Sequence, residues 1–129
     1  MPASGNFVLD KGYPVAAAIT KYRAVKMSGT LGKVTPVTAA TDQPIGVAQY
    51  SVSAGEITNA KRASVRLLGI SEMECSAAVT EGNEAAMAAD GRVKNAATGE
   101  RVIGLILTTT AGAGERASVL FQPAGHLKP

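Results

Sequence analysis

Gly32-Lys33-Val34, Ala39-Ala40-Thr41, Ile45-Gly46-Val47 and Arg62-Ala63-Ser64-Val65 recur in the same order as Gly91-Arg92-Val93, Ala96-Ala97-Thr98, Ile103-Gly104-Leu105 and Arg116-Ala117-Ser118-Val119. An ordered duplication of this kind marks two copies of one supersecondary unit, and two copies are too few for a solenoid, so they are expected to pack face to face. Both copies place a glycine inside an apolar β-type run, Gly46 and Gly104. Glycine weakens a strand, so its presence at matching places points to a bulge or a close approach of backbone.

Working outward, short runs alternate apolar with polar side chains and are separated by turn residues. Strands are predicted over 21–27, 34–37, 45–52, 63–67, 70–80, 84–89, 92–95, 102–109 and 116–122. The cleanest alternation sets Met73, Cys75, Ala77 and Val79 against Glu72, Glu74, Ser76 and Ala78. Turns are expected at Ser28-Gly29, at Ala54-Gly55-Glu56, at Asp90-Gly91 and at Ala111-Gly112-Ala113-Gly114-Glu115, with Pro36 at an edge or bend. About eight to ten short strands at this spacing read as an all-β barrel or sandwich. The organisation expected is an extended N-terminal arm, residues 1–14, and a single β domain, residues 15–129, with pseudo-repeats at about 15–69 and 70–123. Phe7-Val8-Leu9 is the apolar anchor of the arm, which can pair with the body as an edge strand or reach a neighbouring subunit. Pro123 and Gly125 are expected to end the last strand and to open a loose tail.

The chain of 129 residues has 4% aromatic residues, no Trp, three Tyr and two Phe, so its core is built from small aliphatic groups. Burial of apolar surface contributes roughly 25 cal/mol per Å², and a thin core favours oligomerisation as a further source of burial. One cysteine, Cys75, and one histidine, His126, exclude a disulfide framework and a Cys–His nucleophile; Cys75 reads as a small buried residue in a strand. No apolar run is long enough for a membrane span, no secretory signal is visible, and synthesis in the cytoplasm is expected.

Net charge is +3 but uneven. Lys11, Lys21, Arg23, Lys26 and Lys33 form a front without acids, whereas Glu72, Glu74, Glu81, Glu84 and Asp90 form a segment without bases. The dispersed cations, with Tyr13 and Tyr22 as the local aromatics, favour an acidic protein surface over nucleic acid as partner. No phosphate loop is present, since the glycines at 112–114 lack the following Lys-Ser/Thr. Glu72 and Glu74 share a strand face without a nucleophile or base beside them. Arg62 and Arg116 are expected to cap turns or pair with Glu56 and Glu115. The reading is therefore of a protein that is not an enzyme, with no cofactor, metal or small-molecule substrate.

The paired units, each with a Gly-Lys/Arg-Val turn and strand, an Ile-Gly-Val/Leu strand, an Ala-Gly-(x)-Glu turn and a closing Ser-Val strand, resemble the small capsid decoration (cement) proteins of tailed bacteriophages. The resemblance covers about residues 15–122. It implies a small β-barrel or β-tulip that trimerises and binds the major capsid protein at threefold or quasi-threefold points on the outer shell, stabilising the virion. It further implies that capsid or subunit contacts come from the arm and the basic run: Phe7, Val8, Leu9, Lys11, Tyr13, Lys21, Arg23 and Lys26. The competing reading is a binding module, displayed on the virion, for a carbohydrate or cell-surface target.

Overall fold

The period-2 runs form strands in the computed structural model, which describes residues 8–122 and 126–129. They are β1 Leu9–Tyr13, β2 Ala24–Met27, β3 Val34–Pro36, β4 Gly46–Ala48, β5 Ala63–Glu74, β6 Glu84–Met87, β7 Val93–Asn95, β8 Gly104–Ile106 and β9 Arg116–Phe121. Every strand pairing is antiparallel, and the path β3-β2-β4-β5-β9-β8-β6-β7, with β1 added on β5, makes one nine-stranded sheet. The sheet curls as an all-β half-barrel.

The duplication is carried in the hydrogen bonds. Ile45 N–H donates to Val25 O at 2.9 Å, and Ile103 N–H to Ala85 O at 2.8 Å. Gln49 N–H donates to Ser64 O at 2.9 Å, and Leu107 N–H to Ser118 O at 2.8 Å. Val15 and Cys75 make matching parallel bridges to Val34 and Val93. Unit one is thus β1, β2, β3, β4 and the first half of β5; unit two is the second half of β5, β6, β7, β8 and β9. Tyr13 faces Ala63 across β1 and β5 as Met73 faces Ala117 across β5 and β9. The strand of the expected arm is therefore the unit-one counterpart of residues 69–73, and it lies along the body as a sheet strand.

The strands expected separately at 63–67 and 70–80 are one element, β5, which belongs to both units. Gly69 sits in its middle at φ 112, a setting that a residue without Cβ reaches at little cost, so pairing passes from β1 to β9 without a break. β5 ends at Glu74 because Ser76 N–H turns aside to Val93 O. The turn expected at Ala54-Gly55-Glu56 is instead a short helix, α1 Ala54–Thr58. Ser53 Oγ accepts from Glu56 N–H and Glu56 Oε1 accepts from Ser53 N–H, which satisfies reciprocal orphan groups at the helix start. The tail is tied down: Val102 N–H donates to His126 O, Gly99 N–H to Lys128 O, and Lys128 N–H to Glu100 O, at 3.0, 2.8 and 2.8 Å. Pro123 and Gly125 lie outside the described residues.

The units stack front to back, which replaces the expected face-to-face packing. On the inner face of unit one, Val25, Val34, Ala48 and Val65 form one core, against which Ile57 of α1 packs. Its outer face, with Ala24, Val37 and Val47, enters a second core built from Met73, Cys75, Met87, Ile106, Val119 and Phe121 of unit two. At Gly46 and Gly104 the backbones of β4 and β8 leave no room for a Cβ beside their neighbours. A Cβ on Gly46 would overlap Arg66 O and stand 2.6 Å from Val65 Cγ1, and one on Gly104 would overlap Leu120 O. Cys75 is fully buried, as expected.

Candidate interaction surfaces

Four places on the molecule concentrate chemistry. At the junction between units, Arg23 just before β2 donates to Glu74 Oε1 at 3.0 Å and Oε2 at 3.4 Å, and stands 4.0 Å from Asp90. Arg92 donates to Asp90 at 2.8 Å and lies 3.7 Å from Glu74. Ala24 N–H donates to Gly91 O at 2.9 Å in the same place. Burial pushes the Asp90 carboxyl up, but the Arg92 N–H and guanidinium, with Arg23, outweigh it and hold the group below the usual carboxylate range. This network joins the two units internally and leaves its cations compensated.

The second place is the half-buried Tyr22. Arg116 lies 4.5 Å and Lys21 5.6 Å from its ring centre. Tyr22 N–H donates to Ala48 O, and the matching bond in unit two runs from Gly82 to Ile106 O. Tyr22 holds φ 64 where Gly82 holds φ 87, so unit one carries a bulky residue in the left-handed region that unit two fills with glycine. Strain of about 1 kcal/mol or more accompanies such a setting.

The third is a basic recess of about 230 Å³ lined by Pro14, Val15, Lys33, Ile57, Ala60, Lys61 and Arg62. Arg62 donates to Gly12 O of β1 at 3.3 Å, and Lys11 sits 5.2 Å from the Tyr13 ring centre on the same strand. Lys61 is held by Glu56 at 2.8 Å; that contact, with the Ser53 N–H, pulls the Glu56 carboxyl down to about 2.

The fourth is an aliphatic face. In register, Ile70 of β5 faces Leu120 of β9, which faces Leu105 of β8; Leu9 of β1 faces Leu68, two residues before Ile70. Leu9, Leu68, Ile70 and Leu105 are 55%, 49%, 44% and 37% exposed. By pseudo-symmetry the counterparts of Ile70, Leu120 and Leu105 are Asp10, Arg66 and Val47. In unit one Asp10 and Arg66 form an ion pair at 2.8 Å and Val47 is buried against unit two. Unit two therefore carries three aliphatic side chains on a face its own chain leaves open.

No family model matches the chain. No curated protein matches it either. Solved structures do match it. The fold is similar to that of the N base of the head fiber gp8.5 of bacteriophage phi29. The TM-score is 0.65 at 14% identity, over 91% of this chain and 96% of that one. A likeness at this identity is a likeness of fold, and it extends across both units.

The residues expected to form an interface are spread over several places. Phe7 lies outside the described residues. Val8 and Leu9 are exposed at the start of β1, with Leu9 on the aliphatic face. Lys11, over the Tyr13 ring, and Tyr13 stand on β1 on either side of Gly12, whose carbonyl Arg62 holds, and Lys21 borders Tyr22. Arg23 is engaged in the junction network, and Lys26 donates to Asp42 at 2.8 Å. Arg62 and Arg116 do not pair with Glu56 and Glu115; they meet Gly12 O and the Tyr22 ring. Residue-level reasoning missed Leu68, Leu105, Leu120, Lys61 and Arg62 as surface determinants. The signal for Ile70 was readable, because the alternation puts it on the same face as Glu72 and Glu74. Among the described residues no group of three or more His, Cys, Asp or Glu could hold a metal ion, and no helix is long and apolar enough to cross a membrane.

Proposed function

We propose that this chain is a structural protein of a phage virion that attaches to the outer surface of the assembled shell, binds the major capsid protein as a homotrimer at threefold or quasi-threefold positions, and stabilises the lattice. The observation that carries the reading is the likeness of fold to a phage head-fiber base along nearly the whole of both chains. Attachment restricted to the assembled lattice would stabilise it by mass action, multiplied by avidity across copies.

The aliphatic face supports self-association. Ile70, Leu120 and Leu105 stand where unit one has an ion pair and a buried valine, and sister copies are the occupant assigned to them. Exposed aliphatic rows of this kind mark protein contacts. In the same reading, residues 1–14 and the basic residues Lys11 and Lys21 face the capsid. Because β1 is part of the sheet, the arm is tested by deleting residues 1–7, which spares that strand.

The test is co-sedimentation on expanded and unexpanded phage heads together with mass measurement in solution. The reading expects a trimer that binds expanded heads. The double change Ile70→Asp with Leu120→Arg installs the unit-one pair on unit two, and is expected to leave a folded monomer. A wild-type chain that stays monomeric and ignores heads overturns the virion role; a double variant that remains trimeric overturns the assignment of the face.

A further inference from the structure

Two cations without a carboxylate partner, Lys33 and Arg62, line the recess beside α1. Among the described residues, Lys11, Lys21, Lys33, Arg62, Arg101 and Arg116 have no carboxylate within ion-pair distance, whereas Arg23, Lys26, Lys61, Arg66, Arg92, Lys94 and Lys128 each have at least one. Lys33 and Arg62 stand on the rim of the recess together with the neutralised Lys61–Glu56 pair. Lys11 lies next to Gly12, whose carbonyl Arg62 holds. The rest of the lining is apolar: Pro14, Val15, Ile57 and Ala60. A surface with several cations, no net acid and a small aliphatic lining selects an anion attached to an apolar group.

We infer that this recess docks an acidic segment of a partner protein, taking a carboxylate side chain between Lys33 and Arg62 and a neighbouring aliphatic side chain onto Val15 and Ile57. The inference deepens the proposed attachment to the shell by naming the docking face, and it rests on that reading only for the identity of the partner. Duplex nucleic acid matches the site poorly. The unpaired Lys33 and Arg62 share one small recess of about 230 Å³ instead of tracking a phosphate ladder, and the Glu56 carboxylate stands beside it at the Lys61 ion pair. Arg62 contributes a planar fork for bidentate contact with a carboxylate, and Lys33 a point charge. Guidance by such complementary charge raises encounter rates and fixes orientation, and it weakens with salt.

The test titrates the isotopically labelled full chain with the blocked pentapeptide Leu-Glu-Glu-Leu-Glu, following backbone amide shifts. The same peptide with Gln in place of Glu, and a short DNA duplex, serve as comparisons. The expected result is saturable shifts centred on Val15, Lys33, Ile57 and Lys61, lost with the Gln peptide. Affinity is expected to fall about tenfold or more in Lys33→Glu and in Arg62→Glu, and to stay unchanged in Lys128→Glu, which lies in unit two away from the recess. Lys33→Glu is the deciding variant, since Arg62 also anchors β1. Equal affinity in Lys33→Glu, shifts centred on Lys21 and Arg116, equal binding of the Gln peptide, or displacement of the peptide by the duplex would each overturn the inference. Peptide binding at the recess by a chain that ignores phage heads would sink the virion role and leave the recess standing. Heads bound equally well by Lys33→Glu would do the reverse.

Discussion

Replacing Gly104 by alanine drives a methyl group into the backbone of β9. The added Cβ would overlap Leu120 O and stand 3.0 Å from the same residue's carbonyl carbon and 3.2 Å from Phe121 Cα. These are main-chain atoms in a paired strand, so no flexible side chain can swing aside. Overpacking of this sort costs about 1–3 kcal/mol. Stiffening the unfolded chain returns about 0.4–1 kcal/mol. The net loss expected is about 1.3 kcal/mol, or about 4–5 °C in Tm at roughly 3–4 °C per kcal/mol for a chain of this length. Gly46→Ala should behave alike, because its Cβ would overlap Arg66 O. Gly55→Ala is the counter-case: it lies in α1, nothing stands within 4 Å, and helix propensity predicts a gain of about 0.5–1 kcal/mol. Urea unfolding followed by circular dichroism measures all three. A Gly104→Ala midpoint at or above that of the wild type, at unchanged slope, would refute the claim that the duplicated glycines exist for close backbone approach.

Ser53→Ala removes the hydrogen bond that caps α1 and should cost about 1 kcal/mol in the same urea assay, with the sheet signal retained at low denaturant. Asp42 accepts from Lys26 and from the Thr38 and Ala39 N–H groups, which pull its carboxyl from 3.8 down to about 2. A depressed folded-state pKa means that its stabilisation is fully present above about pH 4 and is lost as pH falls towards 2. Acid unfolding of Asp42→Asn should therefore be flatter than that of the wild type across that window, and curves of equal steepness would count against this role.

Much of the fold was legible before any coordinates. The ordered blocks identified the duplication, the alternation located β2, β3, β4, β6, β7, β8 and β9, and paired glycines marked the close approaches. The capping signature Ser53-Ala54-Gly55-Glu56, with Glu three residues after Ser, also stands in the sequence at the start of α1. The extent of the repeat was not legible. Residues 9–13 and 69–73 share no identical residue, yet they occupy equivalent strands, because ladder pairing uses backbone groups and leaves side chains free to diverge.

The candidate surfaces divide the same way. Charge asymmetry between Lys11–Lys33 and Leu67–Gly91 was a property of the chain alone. Only the tertiary structure decided which cations remain uncompensated, since it carries Arg23 to Glu74 and Lys26 to Asp42 and leaves Lys33 and Arg62 around one recess. By itself, the sequence determined two β units with small aliphatic cores. Their front-to-back stacking was settled in three dimensions: it buries Val47 and leaves its counterpart Leu105 open, because a head-to-tail pair covers one outer face and necessarily exposes the other.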